Sequence, residues 1–327
     1  MQAVFLDHQT FSNDTDLTAI KQVVDNLTLY ATTPPEQVLT RCLNAEIILT
    51  NKVNFSREIL SQLPNLQLIC IAATGTNNVD IQAAKALDIA VTNVSGYAKN
   101  SVAQYVFAQL LSHYSQIEHH NNNGKNGLWP TSKTFCLHGN GSVELAGKTI
   151  AIVGNGALGK KVADIANAFE MNVLIAERPN TSVIRDGRVA FLDAIEQADI
   201  VSLHCPQTPE TLGMFNSNVF KRMKPNSVLV NTARGALIND QDLLDALNNN
   251  QLACAILDVL DQEPPPNDHI LLTALSSQLE SSKAMQPKLI ITAHIAWASL
   301  QAQQALLNLI AKNITAFKQG KNVNRVD

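Results

Sequence analysis

The sequence predicts an α/β protein with two doubly wound parallel-sheet domains. Three observations predict it. Short apolar runs alternate with helical patterns along nearly the whole chain. That is the pattern of βαβ units whose helices cover both faces of a parallel sheet. The alternation breaks once, over a polar, glycine-bearing stretch from Asn121 to Gly147, and then restarts. The chain has 327 residues, 46% hydrophobic and 16% charged, enough for two packed cores of ordinary size.

Taken in order, AVFLD (3–7), EIILT (46–50), LQLICIAA (66–73) and IAVTNV (89–94) read as strands. Between them, DLTAIKQVV, PEQVLTRCL, SREILSQL and DIQAAKAL have helical spacing. A longer helix is expected over 101–120, and the polar stretch 121–147 is the candidate boundary or hinge. The second half gives strands KTIAIVG (148–154), NVLIAE (172–177), DIVSLHC (199–205), NSVLVNTA (226–233), LACAILDVL (252–260) and LIITAH (289–294). A helix runs from the glycine loop to Phe169, and a last one covers 299–318. The chain has no internal repeat and no low-complexity tract.

Composition narrows the function classes. With 24 basic and 28 acidic residues the net charge is -4. No basic field exists to draw in nucleic acid or an anionic membrane, so neither is an expected partner. The five cysteines, Cys42, Cys70, Cys136, Cys205 and Cys254, are odd in number and show no CxxC spacing. They read as reduced thiols of a cytoplasmic protein. The N-terminus shows no secretory pattern, and no uncharged apolar run approaches the ~18 to 20 residues of a membrane helix. His119 and His120 are adjacent, so on a helix they point ~100° apart and read as a solvated helix end. No HExxH or cysteine cluster appears, and no metal is expected.

The first candidate site follows the strand KTIAIV. There the chain reads Gly154-Asn-Gly156-Ala157-Leu158-Gly159 and enters a helix. A lone GxGxxG is weak, but this one joins a strand to a helix and is followed by a second strand, as a dinucleotide site requires. Gly154 permits the tight turn, Gly156 removes a Cβ that would block a pyrophosphate, and Gly159 lets the helix pack closely on the strand. The helix N-terminus offers free N–H groups and a positive dipole end to phosphates. Seventeen residues lie between Gly159 and Glu177, at the end of the next strand. A carboxylate there suits the adenosine ribose hydroxyls and repels a 2′-phosphate, which favours NAD over NADP. The neighbouring Arg178 pulls the other way.

The second candidate site gathers three strand ends. Arg234 follows NSVLVNTA, Asp258 and Glu263 follow LACAIL, and His294 ends LIITAH. Alone, His294 reads as a hydrogen-bonded core histidine. Together the three segments change that reading, because a doubly wound sheet binds ligands outside the carboxyl ends of its strands. Arg234 can hold a carboxylate in a bidentate pair. His294 can give a proton to a carbonyl oxygen as hydride arrives, or take it back. Glu263 can hydrogen-bond the far ring nitrogen, fixing the tautomer and stabilising the imidazolium.

These motifs resemble the D-isomer-specific 2-hydroxyacid dehydrogenases over nearly the whole chain. The matching segments are TGTNNVD (74–80), SVAQ (101–104), VGNGALG (153–159), SLHCPQTPET (202–211), NTARG (231–235), LDVLDQEP (257–264) and LIITAHIAWAS (289–299). Within that family, GYAKNSVAQ, FCLHG ahead of LAGKTIAIVG, and HIAWAS look most like glycerate dehydrogenases, or hydroxypyruvate reductases. The resemblance implies two Rossmann-like domains, with an NAD-binding domain (101–294) inserted into a flavodoxin-like substrate-binding domain (1–100 and 295–327). It implies Arg234, Glu263 and His294 as the catalytic set, and Thr74 and Gly75 facing the substrate carboxylate. It places Asp258 at the nicotinamide carboxamide, and Cys205 and Pro206 on the adenine side. Thr211, Thr232 and Ala233 fall with them along the cofactor. A homodimer joined through the cofactor domain is implied too.

Two departures stand out. Ala293 occupies the position before His294 where the family usually has proline, which is expected to loosen the aim of the imidazole slightly. The stretch between Pro266 and Lys288 is longer than the family leads one to expect and reads as an extra surface helix. Trp297 either walls a substrate pocket or seals a domain junction. The leading expectation is NADH-linked reduction of hydroxypyruvate to D-glycerate. Glyoxylate or another short 2-oxo acid, a phosphoglycerate dehydrogenase, and a non-catalytic NAD-sensing corepressor module are the competing readings. The first-domain stretch ICIAATGT lacks the cations a phosphorylated substrate would want.

Overall fold

The structure, a computed structural model, describes residues 1–139, 141–281 and 287–327. The chain divides into two compact units: Met1–Ala98 with Trp297–Asp327, and Lys99–Ala296.

The first unit begins with β1 (Gln2–Phe5), α1 (Thr18–Lys21), β2 (Asn26–Leu29), α2 (Val38–Cys42) and β3 (Ile47–Thr50). It continues with α3 (Arg57–Leu60), β4 (Leu68–Ile71), α4 (Ile81–Ala86) and β5 (Ala90–Thr92). These strands pair with one another in parallel, in the order β2-β1-β3-β4-β5. Side chains alternate between two cores as the strand period of two requires. Ala3, Phe5, Ile47, Leu49, Leu68 and Cys70 pack on one face. Val4, Leu6, Ile48, Ile69 and Ile71 pack on the other. Continuous apolar strands are needed because both faces are covered.

The second unit opens with α5 (Lys99–Ser115) and α6 (Ile117–Lys125). A sheet of order β11-β10-β9-β8-β6-β7 follows, also parallel throughout. Its elements in chain order are β6 (Thr149–Val153), α7 (Ala157–Ala168), β7 (Asn172–Ala176), α8 (Phe191–Gln197) and β8 (Ile200–Leu203). After these come α9 (Ser217–Phe220), β9 (Val228–Asn231), α10 (Asp240–Asn248), β10 (Cys254–Leu257), α11 (Ile270–Ser281) and β11 (Leu289–Ile291). The order reverses at β6, flanked by β7 and β8, and this switch point opens a crevice at the carboxyl ends. The last helix, α12 (Leu300–Lys318), belongs to the first unit and buries Leu306, Leu307, Ile310 and Ile314 in its core.

Every strand expected from the apolar runs is present. β2 was not foreseen, since its edge position leaves it partly exposed and without an apolar run. The single helix expected over 101–120 is two helices. Gln116 takes a left-handed backbone (φ +50°) between them. The chain around Gly141 returns to cap the break: Val143 N–H donates to Tyr114 O at 2.9 Å, and Gln116 Nε2 donates to Gly141 O. The stretch 121–147 therefore lies inside the second unit rather than between units. The long segment after Pro266 does form a helix, α11. It is more than a surface appendage, because Leu271 is fully buried and Leu272, Ala274 and Leu275 pack against the core. Residues 282–286 of that segment lie outside the described residues.

Candidate active site

The glycine loop leaves β6 and enters α7, and each glycine has a distinct steric setting. Gly154 sits at φ +104°, and a Cβ there would come 2.6 Å from the backbone at His204 and Cys205. Only glycine combines that conformation with that approach. At Gly159 a Cβ would lie 1.9 Å from Gly154 O, so the helix can rest on the turn only without one. Gly156 faces open space. It is the N-cap of α7 and offers no side-chain cap, which leaves the first N–H groups of Ala157, Leu158 and their neighbours for an anion.

The ends of β8 and β9 flank this loop. Burial pushes the Cys205 thiol up to about 11, so it stands beside Gly154 as a neutral thiol. Thr211 Oγ1 donates to Pro206 O at 2.9 Å and accepts from Thr208 N–H at 2.8 Å, folding that loop on itself. Two buried polar atoms here have no hydrogen-bond partner among the described residues: His204 Nδ1 and Thr232 Oγ1. Burial holds His204 neutral, with its pKa lowered to about 4. Open space at Gly156, an uncapped helix end and two unspent polar atoms fit a dinucleotide along this crevice.

Glu177 has partners that the sequence does not indicate. Its side chain is 2% exposed, and both oxygens are spent. Arg185 forms a two-pronged pair with it through Nε (2.7 Å to Oε2) and Nη2, and Arg178 N–H donates to Oε1 at 2.8 Å. Arg188 Nη1 stands 3.7 Å away. The hydrogen bonds from Arg185 hold the Glu177 carboxyl far below the usual carboxylate range. The carboxylate at the end of β7 thus anchors an arginine cluster.

Arg234 caps a 3₁₀ turn, Gly235–Leu237, beyond β9. Asn231, fully buried, ties that exit: its Nδ2 donates to Arg234 O at 2.8 Å and its Oδ1 accepts from Ala233 N–H at 3.0 Å. The guanidinium donates to Ala233 O at 2.6 Å and has no carboxylate partner among the described residues. Gly235 then touches the loop after β10. A Cβ on it would lie 1.9 Å from Leu260 C and 2.2 Å from Asp261 N. That contact seats the loop carrying Glu263 against the one carrying Arg234. The sequence displayed this glycine in NTARG, but only the fold reveals its neighbour.

His294 Nδ1 and Glu263 Oε2 are 2.5 Å apart. Glu263 Oε1 accepts from Leu260 N–H at 3.1 Å, so the carboxylate is gripped from both sides. With Nδ1–H donated to Glu263, Nε2 is the ring atom left for a ligand, and it has no partner among the described residues. His294 itself has a left-handed backbone, φ +51°. Asp258, 2% exposed, holds the turn around it. Its carboxylate accepts from Thr292 Oγ1, Ile295 N–H and Ala296 N–H at 2.8 to 2.9 Å, and its carbonyl accepts from His294 N–H at 2.8 Å. The looseness expected from Ala293 is thereby countered.

This unit, with a glycine loop on β6 and a carboxylate-backed imidazole beyond β11, matches the NAD binding domain of the D-isomer specific 2-hydroxyacid dehydrogenases over residues 107–296. The chain belongs to that family. A 2-hydroxyacid dehydrogenase of Haemophilus influenzae, described as putative, is 41% identical over 89% of this chain and 90% of its own length. A glycerate dehydrogenase of Methylorubrum extorquens is 39% identical over 91% of this chain and 90% of its own. Among solved structures, an acyclic imino acid reductase in complex with NADPH and D-Arg superposes over the whole of both chains, with TM-score 0.82 and 25% identity. As a member of this family the protein is an oxidoreductase of 2-hydroxy acids, with NAD as the cofactor of its second unit.

Three further candidate residues of this 2-hydroxyacid dehydrogenase lie in the first unit. Thr74 and Gly75 follow β4, where Thr74 Oγ1 donates to Val94 O at 2.9 Å and Thr74 O accepts from Asn93 Nδ2 at 2.8 Å. Trp297 packs edge-on against Phe11 and Tyr97, with centroids 5.8 and 6.2 Å away. Among the described residues one trio, Asp240, Asp261 and His269, has metal-ligand composition. His269 Nδ1 accepts from Leu271 N–H at 3.3 Å, so Nε2 carries the proton toward Asp261 (3.1 Å) and Asp240 (3.3 Å). That tautomer makes it a hydrogen-bonded cluster.

Proposed function

We propose that this chain is an NADH-linked reductase of a short 2-oxo acid, and that hydroxypyruvate to D-glycerate is the reaction it fits best. The observation that carries the reading is the His294–Glu263 pair, whose Nε2 has no partner among the described residues, in the same unit as an Arg234 that has no carboxylate partner among them. When bound, NADH supplies the hydride. Arg234 holds the substrate carboxylate by paired, charge-assisted hydrogen bonds. His294 delivers the Nε2 proton to the carbonyl oxygen, and Glu263 stabilises the imidazolium that precedes this step. Ketone, hydride and proton together make the alcohol; oxidation runs the same steps backwards. Similarity to the Methylorubrum extorquens glycerate dehydrogenase supports hydroxypyruvate over other acids.

The test is NADH absorbance followed with hydroxypyruvate, glyoxylate, pyruvate and 3-phosphohydroxypyruvate in parallel. Fastest turnover of hydroxypyruvate is expected. Turnover of none of the four would return the protein to the class of NAD-binding modules without catalysis.

A homodimer through the second unit is part of the same proposal. α6 and the segment after it expose Ile117, Leu128, Trp129 and Val143, and leave Phe135 90% exposed. Large apolar groups left exposed along one stretch of the chain suit burial against a second copy. Light scattering after size exclusion is expected to give twice the 35.5 kDa chain mass. The five unpaired thiols support a cytoplasmic location.

A further inference from the structure

We propose that Tyr105, Thr292 and Asp258 form a positioning relay that sets the aim of the His294 imidazole; the inference rests on His294 being the proton donor. The donor stands on a left-handed backbone (φ +51°), a conformation that residues with a Cβ rarely adopt. No proline precedes it to restrict the chain, because position 293 is alanine. The restraint comes instead from Asp258. Its carboxylate takes a hydroxyl from two residues before the histidine and amides from one and two residues after it. Its carbonyl takes the amide of His294 itself at 2.8 Å. Four hydrogen bonds from one residue therefore span the turn.

The direction of the relay follows from donor inventory. A carboxylate only accepts, so Thr292 Oγ1 must donate its single proton to Asp258 Oδ1, 2.8 Å away. Thr292 can then only accept from Tyr105 Oη, 2.6 Å away. Tyr105 accepts in turn from Gln109 Nε2 at 2.8 Å. Tyr105 and Gln109 are four residues apart on α5, one turn of the same face. The helix that opens the second unit is thus tied, through side chains of fixed polarity, to the turn that presents the imidazole. Ser101, also on α5, adds a direct bond from Oγ to Ala296 O at 2.7 Å. The Asp258 carboxylate accepts three bonds from this turn.

The experiment uses the full-length protein and three variants: Thr292→Val, Thr292→Ser and Tyr105→Phe. Three quantities are read: steady-state rates with hydroxypyruvate, NADH affinity by fluorescence, and the low-field proton resonance of the His294 Nδ1–H hydrogen bond. Thr292→Val is expected to lower kcat about 10- to 100-fold, with NADH affinity within about twofold and the resonance moved or broadened. Thr292→Ser keeps the hydroxyl and restores both. Tyr105→Phe removes one oxygen and moves both in the same direction by less, which keeps the test open if Thr292→Val fails to fold. An unmoved resonance with unchanged kcat in Thr292→Val and Tyr105→Phe would overturn the relay. So would a loss of kcat matched by an equal loss of NADH affinity, which would make these residues part of the cofactor site. His294→Ala, run beside them, separates the two readings. If it stays active the proton-donor reading fails, whereas if it is inactive while Thr292→Val is not, the relay alone fails.

Discussion

His294 Nδ1 lies 2.5 Å from Glu263 Oε2, and the other oxygen of that carboxylate accepts from Leu260 N–H. The pair is therefore fixed in orientation before any substrate arrives. Two donors share one side chain, which a carboxylate can serve and an amide cannot, having one acceptor oxygen. Glu263→Gln is expected to lower kcat about 10- to 100-fold, the ~1.5 to 3 kcal/mol of a charge-assisted hydrogen bond. His294→Ala removes the proton donor and is expected to lower kcat by ~10² to 10⁴. NADH titrated calorimetrically into either variant should bind as in the wild type. Near-normal turnover by His294→Ala would assign the proton to another group.

Arg234 makes the complementary prediction on affinity. Lysine keeps the charge but loses the planar fork that matches a carboxylate. Arg234→Lys is expected to raise KM for the 2-oxo acid by about 10- to 100-fold, at ~1.5 to 3 kcal/mol for the lost bond to a charged group. The His294 resonance should stay in place. An unchanged KM would remove Arg234 from the substrate carboxylate.

Gly235 and Gly156 predict opposite outcomes for the same substitution. A methyl at Gly235 meets Leu260 backbone at 1.9 Å, with nothing flexible to give way. Gly235→Ala is expected to destabilise by ~1 to 3 kcal/mol and to displace the Glu263 loop, lowering activity as well. A methyl at Gly156 meets nothing within 4 Å. Gly156→Ala should melt like the wild type yet bind NADH more weakly, because the space it fills is the one assigned to the pyrophosphate. Thermal melts set beside NADH titrations distinguish the two. Unaltered NADH binding in Gly156→Ala would move the phosphate site elsewhere.

What could be read in advance follows the range of the interactions. The glycine loop was legible because strand, turn and helix are consecutive in sequence, so local spacing carries the geometry. Arg234 and His294 were legible because each closely follows an apolar run, and Glu263 because it lies in the loop after the run between them; parallel strands bring such ends to one edge. The bend at Gln116 was not, since nothing in its neighbours forbids a helix and the cap comes from Gly141, 25 residues away. The pairing of Gly235 with Leu260 depends on two loops meeting. Glu177 was placed correctly at the end of β7, but its partner Arg185 sits in the following loop, where no periodicity indicates which way a side chain turns.

That arginine partner alters the cofactor prediction. Glu177 neutralises Arg185 and lies 3.7 Å from Arg188, while Arg178 follows it in the chain. Removing the carboxylate leaves three guanidinium groups with less to balance them. Glu177→Ala is therefore expected to shift the ratio of NADPH to NADH affinity toward NADPH by about tenfold or more, at ~1.4 kcal/mol per decade. In the wild type the carboxyl is held well below its ordinary range, so the pair stays intact at and above neutral pH. The wild-type ratio should accordingly show no step from this group between about pH 6 and about pH 9. Fluorescence titrations with both cofactors measure it. A Glu177→Ala variant with an unchanged ratio would separate this cluster from the ribose.

Asp240 carries a stability prediction of definite sign. Burial, with Asp261 nearby, raises its carboxyl to about 6, while His269 partly offsets the rise. Below about pH 4 the group is protonated in both folded and unfolded chains and contributes nothing. Between about pH 4 and 6 the folded state holds a proton that the unfolded state has released, so stability falls as pH rises. Above pH 6 the penalty is complete. Asp240→Asn removes the charge and is expected to stabilise the protein at pH 8 by ~1 to 3 kcal/mol, the cost of a carboxyl raised to about 6. Asn239, the N-cap whose side chain accepts from Asp242 N–H, keeps α10 started in the variant. The gain should vanish at pH 4. Melting temperatures of both proteins at the two pH values test this, and an equal gain at pH 4 and pH 8 would show that shape rather than charge is responsible.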